Sequence, residues 1–108
     1  MSHIEQLFGT FPNLRVSVIG DVMLDTYLWG QVDRISPEAP VPVVTIGRKE
    51  QRIGGAGNVA LNLVALGAKT SIFSVIGSDL SGNDLKLLFL KNQIDTGGLV
   101  ISRERITT

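Results

Sequence analysis

The sequence predicts an α/β fold, a mostly parallel sheet flanked by helices with a β flap projecting from it. Three observations carry that reading. Two β-branched apolar runs, LRVSVI (14–19) and TSIFSVI (70–76), each end in an acidic glycine turn, Gly20-Asp21 and Gly77-Ser78-Asp79. Helical periodicities alternate with these runs, and near-continuously apolar strands alternating with helices imply βαβ crossovers. The stretch DRISPEAP holds two of the four prolines. Proline removes ladder donors, so the strand-like segments 27–32 and 43–46 around it belong to edge or flap strands.

Taken in order, Ser2 and Glu5 have the spacing of a capping box, and Ile4, Leu7, Phe8 and Phe11 repeat at helical spacing until Pro12 stops the helix. The first core strand follows and ends in the loop Gly20–Asp25, and then comes the flap. Residues 58–66 (NVALNLVAL) are apolar nearly all round and stop at Gly67, which predicts a buried helix packed on more than one side. After the second core strand, Asp79 or Ser81 caps a third helix that runs through Leu85, Leu88 and Phe89 to Lys91. Leu99–Ile101 opens a further strand. The last residues, RITT, are β-prone and are expected to run on as a strand with an unpaired sheet edge.

Composition narrows the function classes. At 108 residues the chain makes one small domain, and 44% apolar with 19% charged residues is ordinary globular composition. Ten Lys+Arg balance ten Asp+Glu, so no electrostatic footprint for nucleic acid or an anionic membrane appears. The absence of cysteine excludes disulfides, thiolate zinc sites and a cysteine nucleophile. With His3 as the one histidine, a transition-metal site is not expected. No apolar run approaches the ~18 residues of a bilayer span. The N-terminus carries Glu5 and lacks the basic region of a secretory signal. The expectation is a soluble, cytoplasmic protein.

Two features have chemistry to offer. Asp21 and Asp25 follow the first strand, and ligands of open parallel sheets bind beyond the carboxyl ends of strands. A pair of carboxylates there can orient a polyol by accepting from its hydroxyls, or can serve as turn and cap residues. Gly54-Gly55-Ala56-Gly57-Asn58 lets backbone approach a ligand at a helix start, and Asn58 both donates and accepts; a glycine turn with Asn58 as N-cap is the plainer alternative. GAGNVA also matches the G-x-G-x-x-A dinucleotide pattern. Such a turn should follow a hydrophobic strand directly, yet Arg48–Arg52 intervenes, and Asp79 reads more simply as a cap than as a ribose ligand. Arg34 in the flap is placed to clamp an anionic group, or to pair with Asp33 or Glu38 on the surface. Tyr27 and Trp29 there either cover a sugar or bury a subunit contact.

GDVMLD, DRISPEAPVPVV, GGAGNVALNLVALGA and IGSDLSG together resemble the N-terminal part of the ribokinase-type (PfkB-type) carbohydrate kinases. RISPEAPVPVV narrows the resemblance to the bacterial heptose 7-phosphate kinase branch, whose members are often the first half of a bifunctional kinase/adenylyltransferase serving ADP-heptose and lipopolysaccharide core synthesis. The resemblance spans about 15–108. It implies a ribokinase-like fold in which Asp21, Asp25, Gly54, Gly55 and Asn58 contact sugar hydroxyls, while Asp79 and Gly82 are structural. Residues 27–45 would form a lid that closes over substrate and supports homodimerisation, as would an exposed sheet edge. The implied substrate is D-glycero-β-D-manno-heptose 7-phosphate, phosphorylated at O1 to the 1,7-bisphosphate, with ATP and Mg²⁺ in the full-length enzyme. The family's catalytic base, an Asp in a G-A-G-D segment, and its ATP-binding loops are expected beyond Thr108. No catalytic, cofactor-binding or metal-binding residue is therefore assigned within 1–108, and the chain alone is expected to be inactive. A non-catalytic sugar-binding or dimerisation module and a small dinucleotide-binding domain are the alternatives.

Overall fold

A computed structural model describes the backbone of residues 2–35 and 42–108 and the side chains of residues 2–30 and 48–108. Along it run α1 (His3–Thr10), a 3₁₀ turn (Phe11–Asn13), β1 (Arg15–Ile19), β2 (Val22–Ile35) and β3 (Pro42–Gly55), then α2 (Ala56–Ala65), β4 (Lys69–Gly77), α3 (Leu80–Lys91) and β5 (Asp95–Ser102). β4 is the centre of a parallel sheet in the order β1-β4-β5, while β2 and β3 pair antiparallel as a separate ribbon. The Pro-rich residues 36–41 of the expected flap turn lie outside the described residues.

Burial explains the layering. Along β4, Thr70, Ile72 and Ile76 are buried whereas Phe73 and Val75 are not. Against the buried side lie the stripes Gly57, Ala60, Leu61, Val64 of α2 and Gly82, Leu85, Phe89 of α3, spaced three and four residues apart as one helical face requires. Ile72, Ile76, Leu85, Phe89 and Ile94 form the centre of the core, each side chain worth about 1.5–3 kcal/mol of apolar transfer. Gly57 sits where α2 presses on this core: a Cβ there would overlap the Ile53 side chain and stand 3.0 Å from the Phe89 ring. The opposite face of the sheet presents Ile19, 82% exposed, with Phe73, Val75 and Val100.

Several expectations change. The expected flap strands lie inside the ribbon, but the ribbon is longer: Val22–Asp25, read as loop, already pair with 52–55, and the charged Arg48–Arg52 are ladder residues too. Residues 26–30 and Arg48, Lys49 and Arg52 are exposed, so charges at these ladder positions are compatible with the ribbon. The ribbon projects. The radius of gyration is 18.8 Å, against about 13 Å for a compact chain of this length, and the longest extent is 66 Å. α2 begins at Ala56, two residues before the expected Asn58, and lies against both the parallel sheet and the ribbon root, as a helix packed on more than one side should, although Val59 is 51% exposed. β5 starts four residues before the expected Leu99. RITT is not a strand: its backbone groups are taken by a side chain and by β2, as described below. In α1, Ser2 Oγ accepts from the Glu5 N–H at 3.1 Å as the capping pattern predicts, yet none of the helix is buried.

Candidate functional site

The root of the ribbon brings the two glycine-acidic segments together. β1 ends at Ile19, the chain turns through Gly20-Asp21, and β2 leaves with Val22 opposite Gly55 and Met23 opposite Gly54. The Ala56 N–H donates to the Asp21 carbonyl at 2.8 Å and closes the root. Gly55 is held at φ +62°, ψ −138°, and a Cβ on it would lie 2.5 Å from the Asp21 carbonyl oxygen. A Cβ on Gly54 would lie 2.7 Å from Asp25 Oδ2, so the Asp25 carboxylate rests directly over that glycine. Asp21, Asp25, Gly54 and Gly55 thus form one cluster at the carboxyl end of β1, the end at which open parallel sheets bind ligands. Asp21 is 84% exposed at its side chain and Asp25 half-buried. The exposed Asp21 carboxylate, the half-buried Asp25 carboxylate and the exposed backbone at Gly55 present polar groups to a ligand rich in hydroxyls.

The other sequence-predicted residues stand apart from this cluster. Asn58 is not the N-cap of α2, which is Gly55; it lies in the first turn, exposed. It lines a neighbouring cleft of about 270 Å³ with Gln51, Ile53, Leu61, Leu88 and Asn92, a cleft that neither Asp21 nor Asp25 lines. The backbone of Arg34 pairs with Val43 far along the ribbon, roughly 30 Å of strand from Asp25; its side chain lies outside the described residues. The dinucleotide reading loses its structural context. β3, the strand before Gly55-Ala56-Gly57, belongs to the antiparallel ribbon and not to the parallel sheet.

One face of the ribbon carries Asp25, Tyr27 and Trp29 from β2 opposite Arg52, Glu50 and Arg48 from β3. Tyr27 and Trp29 stack at 5.8 Å between centroids, Arg48 lies 4.2 Å over Trp29, and Arg52 lies 4.8 Å over Tyr27. Glu50 accepts from Arg52 Nε at 2.8 Å and from Arg48 Nη2 at 3.0 Å. Those two guanidiniums, Arg52 first, hold its carboxyl below the usual carboxylate range. On the other face, Gln51 Nε2 donates to Asp84 Oδ2 at 3.1 Å and ties the ribbon to α3.

Sequence reasoning missed the segment after β5. Asp79, the predicted cap of α3, accepts from the Gly82 N–H at 2.7 Å as a cap should. It also takes the Thr107 N–H at 2.9 Å and the Thr107 hydroxyl at 2.7 Å, while the Gly77 N–H donates to that hydroxyl at 2.8 Å. One residue on, the Thr108 carbonyl accepts from the Leu24 N–H at 2.8 Å. Just before these anchors Arg105 reaches toward the cluster, with Nη2 3.7 Å from Asp21 Oδ1. The contacts join residues 28 apart or more, and no local pattern marks them.

Hydrogen bonds from the Thr107 N–H, then its hydroxyl, then Gly82 hold the Asp79 carboxyl below its ordinary value of 3.8. A depressed folded-state value contributes stability that is full above the ordinary value and is lost as pH falls through the depressed one. Urea midpoints followed from about pH 6 to about pH 2.5 should fall on the acid side for the wild type. Asp79→Asn should begin lower and show a shallower acid limb. An unchanged limb would separate Asp79 from the anchoring of Thr107.

A cleft of about 540 Å³ lined by Arg15, Gly67, Lys69, Thr70, Gln93 and Asp95 lies at the amino ends of the strands, the opposite end of the sheet. It is roomier than the clefts near the carboxyl ends, but it holds none of the clustered carboxylates. The carboxylates of Asp21 and Asp25 at the ribbon root, not cleft size, mark the candidate site.

Residues 13–108 match the pfkB family of carbohydrate kinases. The chain is 52% identical over 106 residues to the bifunctional protein HldE of Geobacter sulfurreducens, covering 98% of this chain and 22% of that protein. It is 53% identical over 93 residues to the HldE of Trichlorobacter lovleyi, covering 86% and 19%. Among solved structures, the fructokinase of Halothermothrix orenii matches with a TM-score of 0.61 at 29% identity, over 87% of this chain and 31% of that one. The ATP-bound fructokinase of Xylella fastidiosa shares the fold with a TM-score of 0.66 at 23% identity, over 86% and 27%. The chain spans about a fifth of the length of the curated relatives it matches.

Proposed function

The chain belongs to the pfkB family of carbohydrate kinases, and from that premise we propose that it is the N-terminal, sugar-binding and lid portion of a kinase that phosphorylates D-glycero-β-D-manno-heptose 7-phosphate at O1 with ATP and Mg²⁺. The observation that carries the proposal is the ribbon root, where the Asp25 carboxylate lies over Gly54 and the exposed Asp21 stands at the turn whose backbone carbonyl meets Gly55. The carboxylates accept from sugar hydroxyls, exposed Gly55 lets the ring approach backbone, and the ribbon beyond the root, about residues 27–45, serves as the lid. RISPEAPVPVV and the roughly half identity to HldE proteins support the heptose phosphate over other sugars.

Phosphoryl transfer needs a base for the attacking hydroxyl and a cation for the phosphate charge. Neither Asp21 nor Asp25 is given the base's role; their task is orientation. Among the described residues no three His, Cys, Asp or Glu side chains gather, and no Mg²⁺ ligand is assigned to them. ATP and Mg²⁺ enter the proposal through the full-length protein alone.

In that protein, Asp21→Asn and Asp25→Asn should each raise KM for heptose 7-phosphate about 10–100-fold, the worth of one charged hydrogen bond, with KM for ATP unchanged within about twofold. Steady-state kinetics with both substrates varied decides it. An unchanged sugar KM would remove the site, and preferential turnover of an unphosphorylated sugar would remove the heptose phosphate.

A further inference from the structure

A sugar hydroxyl donates one hydrogen bond and accepts others, whereas an ionised carboxylate only accepts. Asp21 and Asp25 therefore satisfy half of what a bound hydroxyl requires, and a closing site must supply donors for the rest. Two backbone donors of the root are already used: the Ala56 N–H serves the Asp21 carbonyl, and the Leu24 N–H serves Thr108. Arg52, across from Asp25, is committed to Glu50 at 2.8 Å and to the face of Tyr27.

Arg105 is differently placed. Its Nη2 stands 3.7 Å from Asp21 Oδ1, beyond the ~2.7–2.9 Å of a closed charge-assisted hydrogen bond. The guanidinium and the carboxylate face each other across a gap, with the Arg105 side chain 47% exposed. A hydroxyl oxygen about 2.8 Å from each group fits a separation of that size. The backbone that carries Arg105 is held at that residue and just after it. Its carbonyl packs on Gly77, where no Cβ would fit, and the next anchors are Thr107 on Asp79 and Thr108 on Leu24. Such support reduces the ordering that binding must impose.

We propose that Arg105 is a sugar-binding residue: its guanidinium donates to the same sugar hydroxyl whose proton Asp21 accepts. The inference rests on the sugar-binding reading of Asp21 and adds to it the missing donor.

The test uses the full-length protein and steady-state kinetics with heptose 7-phosphate and ATP varied separately. Arg105→Ala should raise KM for the sugar about 10–100-fold while KM for ATP stays within about twofold. Arg105→Lys, which keeps a charged donor, should fall between Ala and wild type. Because one hydroxyl is shared, the double variant Asp21→Asn/Arg105→Ala should be no more than about threefold worse than the poorer single variant. A merely structural role would lower the active fraction and thus kcat, leaving KM alone; that result overturns the proposal. So does full multiplication of the two effects. If Asp21→Asn raises the sugar KM and Arg105→Ala does not, Arg105 is overturned while the carboxylate site stands. If neither moves it, the site itself falls, and Arg105 with it. Should the wild type prefer a different sugar, the same pattern measured on that sugar supports Arg105 and overturns the heptose phosphate.

Discussion

Gly55→Ala is expected to destabilise the fold by about 3 kcal/mol or more and to abolish sugar-dependent turnover in the full-length protein. The φ of +62° with ψ of −138° at Gly55 lies close to a region essentially reserved for glycine, where a side chain costs about 1–3 kcal/mol. The added methyl would stand 2.5 Å from the Asp21 carbonyl oxygen. That atom is backbone and cannot swing aside as a side-chain tip would. Relief requires the root to open, which surrenders the Ala56 N–H to Asp21 hydrogen bond, worth about 1 kcal/mol more, and draws Asp21 away from Gly54 and Asp25. Gly9 in α1 supplies the control, since nothing lies within 4 Å of a Cβ there. Gly9→Ala should leave the urea midpoint equal or slightly raised, because alanine is the better helix former by about 1 kcal/mol. Equal midpoints for the two variants would mean that the root relaxes freely, and the steric argument for Gly55 would fail.

Phe89→Ala is the largest expected loss in the core, about 3–5 kcal/mol. Phe89 is fully buried, at 0% exposure, and its ring meets α2 at Gly57, the glycine that lets the helix approach. A domain of this size has roughly 5–15 kcal/mol in total, so the variant should be largely unfolded at urea concentrations that leave the wild type native. Leu87→Ala on the same helix, 55% exposed, should cost less than about 1 kcal/mol. The same loss in both would show that α3 frays as a unit and that Phe89 is no keystone. A cavity at Phe89 also removes the floor beneath Ile53 and Gly57, so ribbon root and core should melt together in probes placed on each.

The parallel strands were legible because their signal is local. LRVSVI and TSIFSVI are apolar runs bounded by glycine, and β1 and β4 begin and end within a residue of them. Asp79 as the cap of α3 was legible for the same reason, since cap and partner lie three residues apart. The ribbon was only half legible. Arg48–Arg52 looks like loop until it is paired, because exposed ladder positions such as Arg48, Lys49 and Arg52 need no apolar alternation. The membership of Asp21, Asp25, Gly54 and Gly55 in one cluster follows from the pairing of Val22 with Gly55, a register that neither segment reveals alone. Asn58 matched a pattern but opens on a separate cleft. Arg105 and Thr107 were invisible for the opposite reason: they act through contacts with Asp21 and Asp79, across stretches of chain that carry no periodic signal.

The ribbon has a mechanical consequence. Its strands are 14 residues each, an arm of roughly 45 Å at strand rise, and its fulcrum is the turn where Asp21, Asp25, Gly54 and Gly55 meet. A tilt of about 5° at the fulcrum sweeps the tip through about 4 Å. Leverage works in both directions. If a sugar held at Asp21 and Asp25, as proposed, tilted that turn, the far end would move the most, and a partner that gripped the far end would act on Asp25 with the same leverage.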